Sequence, residues 1–380
     1  MTTFKVLFLL IAFYSSAEAS WSSQSRDLIL KETSHLKSFG NAGYISYWGG
    51  IRRSFGNRDI KGSILPVEIP KLFKEKLDIY YFEDKQSDRL NVFFPGVFGP
   101  VENGITKRMI NILENLEGSL LVIPNFFSAP YIKSSPIYKE NSLLTDMEVP
   151  ILLINKYVKE RKEVHLYAES LGSYIGSSTL ARLSNSTEYA TTKFSLTLLF
   201  PPIEIHNALV HFDENIIRTK PVRENCNIFF NAIKTAYIFV KDFYPKTLKK
   251  DYVDCMESFF YHEAFVKSIN GSYEESPSYD DSRKIETFFE YLKETRPSLY
   301  KNVKARHPET TLSYWLNKRN KKNSEIRILS AEDDFLNKSL SWDIFLKSVN
   351  LSSDSLILLP TGGHSGALGM PIWPKALQAN

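Results

Sequence analysis

Val164-His165-Leu166-Tyr167-Ala168-Glu169-Ser170-Leu171-Gly172 reads as a strand, a sharp turn and the first residues of a helix. Ala168 and Gly172, two before and two after Ser170, are small. A turn this tight needs small residues there, because a larger side chain would strike the neighbouring strand or the helix. A serine so placed is lifted clear of the sheet on a strained backbone. The five-residue pattern alone arises by chance in serine-rich chains, and Ser170 could simply cap the following helix. Its weight comes from lying between a strand and the small-residue helix Leu171 to Leu183.

Outward from this stretch, short apolar runs alternate with segments of helical spacing. Leu77–Phe82, Leu90–Phe94, Ser119–Pro124, Val164–Tyr167 and Phe194–Phe200 read as strands, several of them closed by Pro or Gly. Ser25–Lys37, Met109–Leu116 and residues 141–160 read as helices. Strands that are apolar throughout imply burial on both faces, so the predicted class is α/β, with a mostly parallel sheet covered by helices on both sides. From 203 to 320 the alternation stops. That stretch is aromatic and helical in pattern, with Phe229, Phe230, Tyr237, Phe239, Phe243, Tyr244, Phe259, Phe260, Tyr261 and Phe265. Strands resume at Ile326–Leu329 and Ser355–Leu359, so the stretch is an insertion on one sheet. The predicted organisation is 1–19 export signal, 20–75 N-terminal extension, 76–202 core, 203–320 cap, 321–380 core.

Three further segments fall at strand ends, where open α/β sheets bind ligands. Phe94-Pro95-Gly96-Val97-Phe98-Gly99 is a glycine-bearing loop ahead of a helix. Its Val97 N–H, with the N–H of Leu171, is suited to hold a developing oxyanion, although an ordinary strand-to-helix turn reads the same way. Asp333 and Asp334 follow the strand Ile326–Leu329. An acid there can orient a histidine, or both can cap the next turn. Asp334 is the choice, with Asp333 its rival, since periodicity does not separate neighbours in a loop. Gly362-Gly363-His364-Ser365-Gly366 brings an imidazole to a fixed point, where it can take a proton from a serine and return it to a leaving group. The other histidines, His35, His165, His206, His211, His262 and His307, lack such a setting.

Serine, aspartate and histidine in this chain order resemble the α/β-hydrolase superfamily over residues 76 to 375. The paired aspartate and the Gly-Gly-His-x-Gly end resemble its branch of esterases and lipid hydrolases, and residues 94–99 resemble that branch's His-Gly-x-x-Gly loop. Three departures stand out. Pro95 replaces the histidine, Ala168 replaces the first glycine of the serine turn, and Pro124-Asn125-Phe126-Phe127 lies where relatives carry Asn-x-Arg-Gly. The resemblance implies Ser170 as nucleophile, His364 as general base and then acid, Asp334 as its orienter, and no metal or organic cofactor. It also implies that the aromatic insertion is a lid, whose rings either line a hydrophobic pocket or form the lid's own core. The departures keep open a non-catalytic binding protein on the same fold, and the same triad would serve an acyltransferase.

Composition narrows the partners. Among 380 residues, 47 Lys and Arg against 43 Asp and Glu give a net charge of +4 with both signs interspersed, so the basic stripe of a nucleic-acid binder is missing. A small-molecule or lipid ester is the expected partner, with transient contact at a membrane surface if the ester is a lipid; oligomeric state is unassigned. Lys5, the apolar run Val6–Tyr14 and Ala17-Glu18-Ala19 form the pattern of a cleavable export signal. Cleavage after Ala19 would place the mature chain outside the cytoplasm, in a secreted or periplasmic setting. There Cys226 and Cys255 could pair or remain two buried thiols, and Asn-x-Ser/Thr triplets begin at Asn185, Asn270, Asn337 and Asn350.

Overall fold

A computed structural model describes residues 20–33, 60–70, 72–100, 104–134, 147–158, 161–226, 250–338, 340–365, 368 and 372–378. The expected export signal, the aromatic residues from Phe229 to Tyr244, and Gly366 lie outside the described residues. The strands are β1 Ser63–Val67, β2 Leu77–Phe82, β3 Arg89–Phe94, β4 Ser119–Val122, β5 Glu163–Glu169, β6 Lys193–Leu199, β7 Ser324–Ala331 and β8 Leu356–Leu359. They form one sheet in the order β1-β2-β4-β3-β5-β6-β7-β8. Strand β2 runs antiparallel to both its neighbours, and every other pair is parallel.

The sequence places seven of these strands within a residue or two. The sheet nevertheless begins one strand earlier, because β1 lies in the stretch expected to precede the core. β1 is an edge strand, partly exposed and holding Pro66, and such a strand gives no apolar run to read.

Helices close both faces, as α/β strands buried on two sides require. On one face Leu90, Val92, Leu166, Ala168, Leu196 and Ile328 pack beneath the helices Glu148–Val158, Gly172–Leu183, Leu312–Asn317 and Trp342–Val349. On the other, Phe93, Tyr167, Leu199, Leu329 and Ile357 meet the helices Ser23–Thr33, Gly104–Leu113 and Trp373–Gln378. Trp21 anchors this layer by donating its indole N–H to Ile328 O at 3.0 Å.

Between β6 and β7 the described chain is helical: Ile205–Asn225, Lys250–Phe259, the π-wound turn Phe260–Val266, then Lys267–Glu274, Phe288–Thr295 and Pro297–Lys304. Cys226, at the end of the first of these helices, is joined by a disulfide to Cys255 in the second, with Cα atoms 5.9 Å apart. Asp213 crosses from the first helix to the amino end of Phe288–Thr295, where its carboxylate accepts the Phe288 and Phe289 N–H groups at 2.8 and 3.1 Å. Among the described residues no helix is long and apolar enough to cross a membrane.

Candidate active site

Ser170 follows β5 with φ at 51°, a left-handed backbone that an L-residue adopts only when its surroundings hold it there. The ladder to β6 continues through this strained residue, whose N–H donates to Leu199 O at 2.9 Å. Gly172 is obligatory, since a Cβ on it would lie 2.4 Å from Phe94 O and 2.6 Å from Pro95 O. The Ala168 departure has a partner across the turn. A Cβ on Gly176 would come within 2.8 Å of the Ala168 methyl, so the absent side chain at 176 makes room for the present one at 168.

The structure brings Ser170, His364 and Asp334 together at the carboxyl ends of β5, β7 and β8. Ser170 Oγ is 2.7 Å from His364 Nε2, and Asp334 Oδ2 and Oδ1 are 3.1 and 3.2 Å from His364 Nδ1. A carboxylate facing Nδ1 assigns the proton to that nitrogen, leaving Nε2 to accept from the serine hydroxyl. All three residues are buried, at 6% exposure for Ser170, 1% for Asp334 and 7% for His364. The imidazole meets the Phe200 and Phe335 rings in edge contacts at centroid distances of 6.5 and 5.7 Å.

Asp333, the rival acid, faces away from the imidazole and towards the backbone that carries it. Its Oδ1 accepts the N–H groups of Gly362 and Gly363, each at 2.9 Å, and its Oδ2 accepts the Thr361 hydroxyl. Burial raises the Asp333 carboxyl above its ordinary value, with the three hydrogen bonds opposing. The loop it grips is left-handed on both sides of the histidine, freely at Gly363 with φ of 57° and with strain at Ser365 with φ of 59°.

Val97 and Leu171 both border Ser170, and neither N–H enters a hydrogen bond among the described residues. The loop bearing Val97 is pressed against the serine: a Cβ on Gly96 would lie 3.2 Å from Ser170 Cβ. Asn125, in the segment that lacks the Arg-Gly of the relatives, braces this loop. Its Nδ2 donates to Pro95 O at 3.1 Å and its N–H to Gly99 O at 3.5 Å, while its Oδ1 accepts the Phe127 N–H at 3.0 Å. An arginine does reach this segment, but from 170 residues away. Buried Arg296 donates to Phe126 O at 2.7 Å, with its guanidinium 5.0 and 5.1 Å from the Phe126 and Phe127 rings. No local sequence signal marks either brace. The buried amide of Asn337 similarly ties the loop after β6, accepting the Ile203 N–H at 2.9 Å and donating to Pro201 O at 2.8 Å.

Above Ser170 and His364 lies a cavity of about 40 Å³ whose walls are almost wholly apolar: Val97, Ile205, Leu209, Phe212, Phe265, Phe288 and Leu336 among them. The aromatic residues of the insertion divide between two roles. Phe265 faces the cavity, while Phe260 and Tyr261 pack against one another at 5.0 Å and against Phe335 beneath it. No three His, Cys, Asp or Glu side chains among the described residues are grouped to hold a metal ion.

No family model matches the chain, and no curated protein matches it in sequence. Solved structures that it resembles include a fungal esterase from Rhizomucor miehei, with 10% identity over 93% of this chain and 95% of that one, at a TM-score of 0.46. A proline iminopeptidase-related protein from Thermus thermophilus shares 12% identity over 84% of this chain and 96% of that one, with TM-score 0.44. Carboxyl esterase 2 from the fungus Tuber melanosporum shares 12% over 85% and 83%, with TM-score 0.42. Likeness this low carries no argument about substrate or mechanism. The α/β-hydrolase fold class rests instead on the mostly parallel sheet, the helices on both its faces, and the strained serine turn after β5.

Proposed function

We propose that this chain is an exported serine hydrolase that cleaves a hydrophobic carboxylic ester through an acyl-enzyme on Ser170. The observation that carries the reading is the contact of Ser170 Oγ with His364 Nε2 at 2.7 Å, with Asp334 on the far side of the ring. As Oγ attacks the ester carbonyl carbon, its proton passes to Nε2, and Asp334 stabilises the imidazolium that results. The carbonyl oxygen, now an oxyanion, takes hydrogen bonds from the Val97 and Leu171 N–H groups. When the tetrahedral species collapses, the C–O bond to the alcohol breaks and the imidazolium returns its proton to the leaving oxygen. Water then gives a proton to Nε2 and attacks the acyl carbon, and the acid departs as Oγ recovers its proton.

The apolar walls beside Ser170 suit the hydrocarbon part of an ester and would exclude a charged one. A volume of about 40 Å³ has room for a few waters, so an acyl group of several carbons is expected to need movement of the helices above the site. Export rests on Lys5, the apolar run to Tyr14 and the Ala-x-Ala end at Ala19.

The test is the mass of the full chain after treatment with an active-site phosphonate, with the modified residue mapped. Labelling at Ser170, lost in Ser170→Ala and His364→Ala, is the expected result. Labelling that persists in Ser170→Ala would overturn the assignment. Product analysis with a competing alcohol separates hydrolysis from acyl transfer.

A further inference from the structure

A second cavity, of about 200 Å³, lies towards the amino ends of the central strands, away from the edge where Ser170 sits. It is bordered by Arg89, Glu117, His165, Tyr167, Thr197 and Arg327. The pairing of the strands puts polar side chains side by side on a sheet face that is otherwise apolar. Asn91 stands opposite His165 and His165 opposite Ser195, while Tyr167 stands opposite Thr197 and Thr197 opposite Arg327. Buried polar groups are nearly always hydrogen-bonded, and leaving one unmet costs about 1 to 3 kcal/mol. Here Asn91 Oδ1, which lies outside the cavity lining, is buried without a partner, and the hydroxyls of Tyr167 and Thr197, which border the cavity, enter no hydrogen bond among the described residues. The nearest ion-pair partner of His165 is Glu163, 3.8 Å away.

The groups that border the cavity share one chemistry: the Tyr167 phenol, the Thr197 hydroxyl and the two guanidiniums can all donate. Arg89 is paired with Glu163 at 2.9 Å, and Arg327 with Glu325 at 3.2 Å, but a guanidinium has five N–H groups and each arginine also borders the cavity. Glu117, the acid on the rim, is 3.9 Å from Arg89 and mostly exposed, so water screens its charge. Burial, reinforced by the charges of Arg89 and Arg327 and opposed by that of Glu163, holds the His165 imidazole down at about 4, so near neutral pH it is an uncharged ring. Burial pushes the Tyr167 phenol up to about 12 and keeps its proton available to donate.

We propose that this cavity binds a small oxyanion of the phosphate, sulfate or carboxylate class, held by the Tyr167 and Thr197 hydroxyls and by the Arg89 and Arg327 guanidiniums. An acceptor-only ligand satisfies every open donor at once, and a net negative charge complements the two arginines. The proposal does not depend on the chemistry assigned to Ser170.

Binding is tested on the full chain with inorganic phosphate, sulfate and acetate, each against chloride at constant ionic strength. The readouts are thermal unfolding and the imidazole NMR signals of His165, identified by their loss in His165→Gln. The expected result is a saturable rise in unfolding temperature with at least one oxyanion, together with a saturable shift of the His165 signals. Affinity should fall about tenfold or more in Thr197→Val and in Tyr167→Phe, each of which removes one donor. The ranking of the three anions separates a tetrahedral ligand from a carboxylate. The wild-type thermal-unfolding titration needs no substitution, so a variant that fails to fold leaves that readout intact. His165 signals unmoved by all three anions, or stabilisation that is non-saturable or unchanged in both folded variants, would overturn the proposal and leave water as the occupant.

Discussion

Two adjacent carboxylates divide one task. Asp334 faces the imidazole and Asp333 holds the loop that presents it, so their substitutions should differ in kind. Asp334→Asn removes the charge that orients the ring and stabilises its protonated form. It should lower kcat by about 10⁴ on a short aryl ester with little change in KM. Asp333→Asn leaves that contact in place but weakens the grip on Thr361, Gly362 and Gly363. An amide oxygen still accepts one or two of these bonds, so the expected cost is about 1 to 3 kcal/mol of stability and a loss in kcat of roughly tenfold. Steady-state kinetics and thermal unfolding of the two variants check both statements. Equal losses in kcat would show that the carboxylates are not specialised.

Among the elements, the contact between the helices Ile205–Asn225 and Phe288–Thr295 carries a titratable group. Burial pushes the Asp213 carboxyl up to about 6, against an ordinary value of 3.8, although the Phe288 and Phe289 N–H groups pull it down. The folded chain therefore keeps this proton to higher pH than the unfolded chain does. Its contribution is complete below about pH 4 and is lost as pH rises through 6, a change of about 3 kcal/mol at most. His165 acts in the opposite sense. Its imidazole is depressed from 6.5 to about 4, so its contribution is complete above pH 6.5 and is lost as pH falls towards 4. The two nearly cancel between pH 4 and 6. Asp213→Asn should remove one side of the balance, so that stability of the variant rises with pH across that window more steeply than in the wild type. Urea unfolding midpoints at half-unit pH steps measure the slope, and identical slopes would refute the account.

Across the whole molecule, the helices over Ser170 are attached to the sheet by packing and closed on themselves by the Cys226–Cys255 disulfide. Closing a loop of 29 residues stabilises by roughly 2 to 4 kcal/mol, mainly by restricting the unfolded chain. Reduction should therefore loosen this helical layer before the sheet. Near-UV circular dichroism and proteolysis should report early opening between residues 205 and 310, while the far-UV signal of the core persists. The same opening enlarges the space above Ser170, so the reduced protein should accept longer acyl chains relative to short ones. A chain-length profile unchanged by reduction would show that the helical layer does not limit access.

From the sequence alone came the alternation that makes this an α/β chain, seven of its eight strands, and the four strand-end segments holding Ser170, Val97, the aspartate pair and His364. These are local properties: an apolar run states that a strand is buried on both faces, and small residues around a serine state that its turn is tight. Tertiary structure alone decided which aspartate meets the imidazole, because one residue along a turn redirects the side chain completely. It also supplied what lies far away in the chain or at the sheet's edge: strand β1, the Asn125 and Arg296 braces, and the Ala168–Gly176 fit. The polar floor beneath β3, β5, β6 and β7 was equally hidden. His165, Tyr167, Thr197 and Arg327 each look ordinary within an apolar strand, and only the lateral register of four strands sets them side by side.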